Sequence, residues 1–262
     1  PQMDGDVDTL DGYAYLRPRW DDGLKSPTGL TLLEGANHNF FNASLSEDDD
    51  ARGSGAALTP REQQDFLCRY LADFCEAAAG KGALLDAAGP APGRRYGQAV
   101  RELWLSGDTA LLSDSGKAAA ASDGCSTRRI TADSRSTDIA IPLSWGTDHA
   151  LTFWEGVWER GGGAMDLPLK QGDLNGFDAL ALDLAVLEHA DNLTLVLTDS
   201  AGGSAGVRLS APEPALGGSG YTLFSQIRVP LSLFTEVDLG SVVRCSLTAD
   251  GGRVWVSAAW GR

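Results

Sequence analysis

Beyond residue 89 the chain breaks into short apolar runs, at 139–145, 150–154, 179–186, 193–197, 207–210, 221–229, 242–247 and 254–259, separated by Gly, Asp, Asn and Ser. Runs of this length between turn residues are strands, and no long amphipathic pattern interrupts them. Short strands at even spacing pair antiparallel and close into a sandwich or jelly roll, because each has one face to bury and one to leave in water. Pro230 follows the run 221–229, where it ends a ladder or lies on a sheet edge. This half of the chain, 95–262, is therefore expected to be an all-β domain.

The first half reads differently. Thr59-Pro60-Arg61-Glu62 opens a helix, with Thr59 as cap, Pro60 at the first helical position and Glu62 closing a capping box. Phe66, Leu67, Tyr70, Leu71, Phe74, Cys75 and Ala78 then recur with helical period, and Gly80 ends the run. Upstream, residues 30–35 read as a short buried strand entering a turn. Strand, loop and helix in this order predict a layered α/β unit over 1–88, and the Gly/Pro/Ala-rich stretch 87–93 suits a boundary.

Charge excludes some partners. A net charge of −15 is wrong for nucleic acid and for anionic membrane surfaces, both of which need clustered Lys and Arg. No apolar run approaches the ~18 residues of a membrane span. Of four cysteines, Cys68 and Cys75 lie two turns apart on one helix, roughly 10 Å, beyond the ~7 Å that a disulfide bridges. Cys125 and Cys245 admit a cross-sheet bridge or buried free thiols.

The segment with the most chemistry is Gly35-Ala36-Asn37-His38-Asn39-Phe40-Phe41-Asn42, a His held in a loop just past a strand. Such a His can act as a general base above a sheet, provided a carboxylate fixes its tautomer. Asp4-Gly5-Asp6-Val7 and Leu10-Asp11-Gly12 lie upstream. Together these strings resemble the acid and histidine loops of secreted bacterial α/β-hydrolases of the lipase, cutinase and acyl-esterase kind, over roughly residues 1–85. The resemblance implies a serine ester hydrolase, exported from the cell, with His38 as base and Asp4 (alternatively Asp6) as triad acid. In that family the nucleophile precedes the acid, and this chain begins at the acid. An upstream segment or a partner chain is then expected to carry the serine.

Other candidates are weaker. Gly202-Gly203-Ser204-Ala205-Gly206 matches a nucleophile elbow by its letters, but a strand enters and a strand leaves, which predicts a hairpin. Ser115 has no better setting, and His149 and His189 read as solvated or structural. The acidic run 46–50 reads as a solvated loop. Asp173, Asn175 and Asp178 surround a Gly turn that offers oxygen ligands to a structural calcium ion, although an Asp/Asn turn accounts for the same letters.

Residues 95–262 resemble the galactose-binding-like sandwiches of carbohydrate-binding modules, on Gly176-Phe177-Asp178-Ala179-Leu180, Leu195 to Asp199 and Val229-Pro230-Leu231-Ser232-Leu233-Phe234. The resemblance implies a sugar or polymer as ligand. Trp145, Trp154, Trp158, Trp255 and Trp260 are read mainly as core, with Trp158, beside Glu159, Arg160 and a Gly run, the one expected at the surface. The alternative to the esterase is thus a non-catalytic carbohydrate- or polymer-binding module carrying a hydrolase remnant.

Overall fold

The computed structural model describes residues 28–47, 58–81, 93–105, 109–132, 151–159, 161–210 and 224–262. Asp4, Asp6, His149, Trp145 and the strand expected at 139–145 lie outside them.

The sandwich consists of two antiparallel sheets. One joins β6 (Cys125–Ala132), β7 (Leu151–Trp158), β9 (Ala179–Glu188), β12 (Ser225–Pro230) and β14 (Gly252–Gly261) in the order β12-β9-β14-β7-β6. β4 (Ala110–Asp114) pairs with the far end of β14. The other sheet joins β5 (Ala120–Ala121), β8 (Ala164–Leu167), β10 (Thr194–Asp199), β11 (Ser204–Arg208) and β13 (Val242–Thr248) in the order β11-β10-β13-β8-β5. Between them lies the main core, with Trp154, Trp158, Leu180, Leu182, Leu184, Val254 and Val256 facing Met165, Leu167, Leu195, Leu197, Cys245 and Leu247. Each fully buried aliphatic side chain of this set contributes about 1.5–3 kcal/mol to holding the two sheets together. Pro230 ends edge strand β12 opposite Ala179, where its missing N–H costs no ladder bond.

β10 alternates half-buried and buried residues along its length, the mark of a strand with one covered face. β9 is buried at eight successive positions, because its sheet is covered on both faces. Leu180, Leu182 and Leu184 enter the main core, while Ala181 and Ala185 point the other way, under Phe153, Trp255 and Trp260.

What covers that second face is the N-terminal part of the chain, and here the α/β expectation is overturned. Among the described residues, β1 (Thr28–Leu33) joins no parallel strand. It pairs antiparallel with β3 (Gln98–Leu105), from Thr28 opposite Leu105 to Leu33 opposite Val100, and β2 (Arg94–Arg95) pairs with the other edge of β3. One face of this small sheet sends Leu30, Leu103 and Leu105 onto the six-stranded sheet. The other packs Leu33 and Val100 against Phe66 of helix α1 (Pro60–Ala78), the one α-helix among the described residues. A strand followed by a helix looks alike in an α/β unit and here. The difference lies in the pairing partner, which sits some seventy residues downstream.

α1 begins as the sequence dictates. The Thr59 hydroxyl accepts from the Glu62 N–H at 3.3 Å, and the Thr59 N–H donates to the Glu62 carboxylate at 2.8 Å. The bonds that the Thr59 N–H and hydroxyl donate to the Glu62 carboxylate hold that carboxyl below its ordinary range.

Candidate functional site

His38 is exposed and precedes a single 3-10 turn, Asn39–Phe41. The turn is built by its neighbour: Asn37 is buried, and its side-chain oxygen accepts from the Phe40 N–H at 2.9 Å. The unusual Asn-His-Asn string therefore shapes a turn at the end of β1. With β1 in an antiparallel sheet, no α/β-hydrolase layer forms among the described residues, which overturns the reading as a serine ester hydrolase of that fold with its nucleophile-bearing partner. Ser204 starts the second strand of the β10–β11 hairpin, its hydroxyl donating to the Leu197 carbonyl at 3.2 Å. Ser115 donates to the Thr152 carbonyl at 2.5 Å. Exposed His189 contacts Asp191 at 2.9 Å. In the Asp173–Asp178 turn, the Asp173 carboxylate accepts from the Asn175 N–H at 3.0 Å, an Asx turn, and no three His, Cys, Asp or Glu side chains converge on a metal position among the described residues.

The described tryptophans are core, Trp158 included. Its ring is buried and its Nε1 donates to the Gly163 carbonyl at 2.9 Å, so the Gly run folds back over the indole rather than exposing it. Trp154 Nε1 donates to the Lys117 carbonyl at 2.8 Å. All four cysteines are free, so no cross-sheet bridge forms. Burial pushes the Cys125 thiol up to about 11 and that of Cys245 up to about 12.

Two places combine aromatic rings with planar polar groups, the pairing that sugar recognition calls for: a ring to cover the apolar face of a pyranose, and carboxylate, amide or guanidinium groups to bind vicinal hydroxyls. The first is the outer face of the six-stranded sheet. Trp260 Nε1 donates to Asp183 at 2.7 Å, and the Gln226 amide donates to the other oxygen of the same carboxylate at 3.0 Å. Trp255 Nε1 donates to Glu155 at 2.9 Å, and Arg128 to its second oxygen at 2.6 Å. Burial pushes the Glu155 carboxyl up, but the bonds from Arg128 and Trp255 outweigh it and leave the group below the usual range. Asp183 and Glu155 are both buried, and Leu30, Leu103, Leu105 and Phe224 close the cluster. This face is a satisfied polar network inside a core, not a docking surface.

The second is open. A cleft of about 160 Å³ lies between α1 and the β2–β3 hairpin, lined by Glu62, Asp65, Phe66, Arg69, Tyr96 and Gln98. Arg95 pairs with Gln98 across the hairpin, leaving Tyr96 and Gly97 as its two loop residues. Both have positive φ, 54° and 85°. Such a turn favours Asn, Asp or Gly at its first position, and a tyrosine there costs on the order of 1 kcal/mol. Tyr96 is kept in place from several sides. Its hydroxyl donates to Asp73, its ring meets the edge of Phe66 with centroids 5.5 Å apart, and the Arg69 guanidinium lies 6.0 Å from its centroid. Burial, with help from Asp73, pushes the phenol up to about 12, so it stays protonated and donating at neutral pH.

Beneath, the hairpin is clamped by a bidentate pair, Arg95 Nε and Nη2 donating to the two Glu102 oxygens at 2.7 and 2.8 Å. Thr31 donates to Glu102 at 3.2 Å and shares a 2.8 Å hydrogen bond with the Tyr70 hydroxyl. The cleft walls are thus fixed by buried bonds, while Glu62, Asp65 and Arg69 reach water on the helix surface.

No protein-family model matches the sequence, and no curated protein does either. Among solved structures, the chain is similar to a family 11 carbohydrate-binding module studied in solution, at 12% identity and a TM-score of 0.37, over 59% of this chain and 95% of that one. The family 11 module of Clostridium thermocellum, solved with a β-1,3-1,4-mixed-linked tetrasaccharide, aligns at 11% identity and 0.37, over 58% of this chain and 94% of that one. A further carbohydrate-binding module of the β-sandwich superfamily, described as promiscuous in specificity, aligns at 11% and 0.33, over 64% and 70%.

Sequence reasoning missed both clusters. Asp183 within Leu182-Asp183-Leu184 and Glu155 within Trp154-Glu155-Gly156 are carboxylates inside apolar runs, the signal that a buried partner waits. Tyr96-Gly97 carried half of a hairpin signal in its Gly.

Proposed function

We propose that this chain is a non-catalytic module that binds a neutral carbohydrate polymer, and that the cleft between α1 and the β2–β3 hairpin is its site. The observation that carries the reading is Tyr96, an aromatic ring held at positive φ between Phe66 and Arg69, beside the planar polar ends of Glu62, Asp65 and Gln98. A backbone penalty of this kind persists where the side chain it positions is useful. Glu62 and Asp65 accept from sugar hydroxyls, Arg69 donates, Gln98 does both, and the rings offer C–H faces an apolar surface. Two carboxylates in the cleft and a net charge of −15 disfavour polyuronates and sulfated glycans, leaving a neutral polymer.

Affinity electrophoresis in gels carrying soluble mixed-linkage β-glucan, xylan, galactomannan or a polyuronate tests this. Retardation is expected in at least one neutral gel and not in the polyuronate. Tyr96→Asn, which supplies a residue suited to the turn, is expected to remove it while the thermal midpoint stays within a few degrees. Wild-type mobility unchanged in every gel, or equal retardation of the variant, would sink the reading.

A further inference from the structure

The flank of α1 facing away from the cleft carries a second feature. At 100° per residue, Glu62, Asp65, Arg69, Asp73 and Glu76 fall on the cleft side or outward, whereas Leu67, Cys68, Leu71, Ala72, Cys75 and Ala78 share the opposite flank. No charge interrupts that flank from Gln64 to Ala79, in a chain with 22% charged residues. It is not buried in the fold. Leu71 is 51% exposed, and Cys68 and Cys75 are both free and exposed.

We infer that this flank is the interface of a two-fold symmetric dimer with a second copy of the chain, closed by two disulfides, each joining Cys68 of one copy to Cys75 of the other. The two thiols lie symmetrically about the Leu71–Ala72 peptide. An antiparallel copy related by a two-fold axis through that point sets every residue i opposite residue 143 − i, and so each Cys68 opposite a Cys75. The spacing fits. Helices packed through small residues have axes about 8–10 Å apart with Cα atoms about 2.3 Å from each axis, which leaves roughly 3.5–5.5 Å between facing Cα atoms. A disulfide spans about 4.4–6.8 Å, so the ranges overlap. Ala72 and Ala78 permit the approach, and Leu71 packs between the two bridges.

The bridges are needed because the surface is small. A helix of this length is roughly 28 Å long, and one flank buries on the order of 300 Å² per chain, against about 800 Å² in a stable interface. The reduced protein is therefore a monomer. Oxidation needs an acceptor, and a small-molecule disulfide such as oxidised glutathione serves. A Cys68 thiolate attacks it and releases one thiol, then the facing Cys75 thiolate displaces the second. Each bridge thus forms one S–S bond and reduces one external disulfide to two thiols. Both clefts remain open in the dimer, since they lie on the other side of each helix.

The test uses the full chain and does not depend on sugar binding. Reduced protein is expected to sediment as a monomer. After incubation with oxidised glutathione, non-reducing electrophoresis is expected to show a dimer whose digest contains the Cys68–Cys75 peptide pair. Cys68→Ser and Cys75→Ser alone are each expected to stay monomeric, because each keeps only one partner of both bridges. An equimolar mixture of the two variants is expected to recover a singly bridged dimer. The interface is wrong if wild type stays monomeric under oxidant, if the bridge forms within one chain, if either single variant cross-links with itself, or if the mixture fails to cross-link. Both cysteines are exposed, so the serine variants keep the fold, and their circular dichroism is checked against wild type.

Discussion

The outer face of the six-stranded sheet and the helix–hairpin cleft are assembled from the same side-chain types, and they behave oppositely. On the sheet, Asp183 and Glu155 are each held by an indole N–H and a second donor, and leucines from β1 and β3 seal them from water. In the cleft, Glu62, Asp65 and Arg69 stand on the open side of a helix, and the buried bonds of Arg95, Glu102, Thr31 and Tyr70 lie one layer below. Aromatic rings beside carboxylates therefore do not mark a sugar site by themselves. What matters is whether the polar groups still face water. A satisfied network rigidifies a core, and one that still faces water can exchange it for ligand hydroxyls.

That contrast can be broken most forcefully at Trp260. Trp260→Ala removes a fully buried ring and leaves the Asp183 carboxylate short of a donor, so a loss of about 3–5 kcal/mol is expected in denaturant unfolding. A loss below about 1 kcal/mol would mean that the face is not packed as described.

Next in size is the acid limb of stability. The Glu155 carboxyl is held below its unfolded value, so its stabilisation is complete above the ordinary glutamate range and fades as pH falls toward the depressed folded value. Glu155→Gln is expected to lower stability at neutral pH and to flatten the decline through that window. A parallel decline in both proteins would assign the acid sensitivity elsewhere.

The smallest change in stability is expected on the open side. Arg69→Ala on the exposed helix surface should shift unfolding by no more than about 0.5 kcal/mol. Retardation in the neutral polysaccharide gel should nonetheless fall at least tenfold. A large stability loss with unchanged binding would reverse the roles given to the two regions.

The local signals in the sequence were sound. Thr59 and Glu62 cap α1 as their spacing requires, the Gly202-Gly203 turn joins two strands, and the runs at 179–186, 242–247 and 254–259 are central strands of the two sheets. Other strands lacked such a signal. β6 reads Cys-Ser-Thr-Arg-Arg-Ile-Thr-Ala, with too few apolar residues to stand out, and it holds its place by eight successive pairs to β7.

Sequence alone determined where helix α1 starts, where turns such as Gly202-Gly203 fall, and that the second half of the chain is built of short strands, because capping, turn geometry and side-chain alternation act over a few residues. Only the tertiary structure decided that β1 pairs with β3, that the aromatic sheet face is closed, and that Tyr96 comes to lie against α1. Those outcomes depend on contacts between residues far apart in the chain, such as Phe66 with Tyr96 and Leu103 with Trp255, whose energies no local pattern encodes.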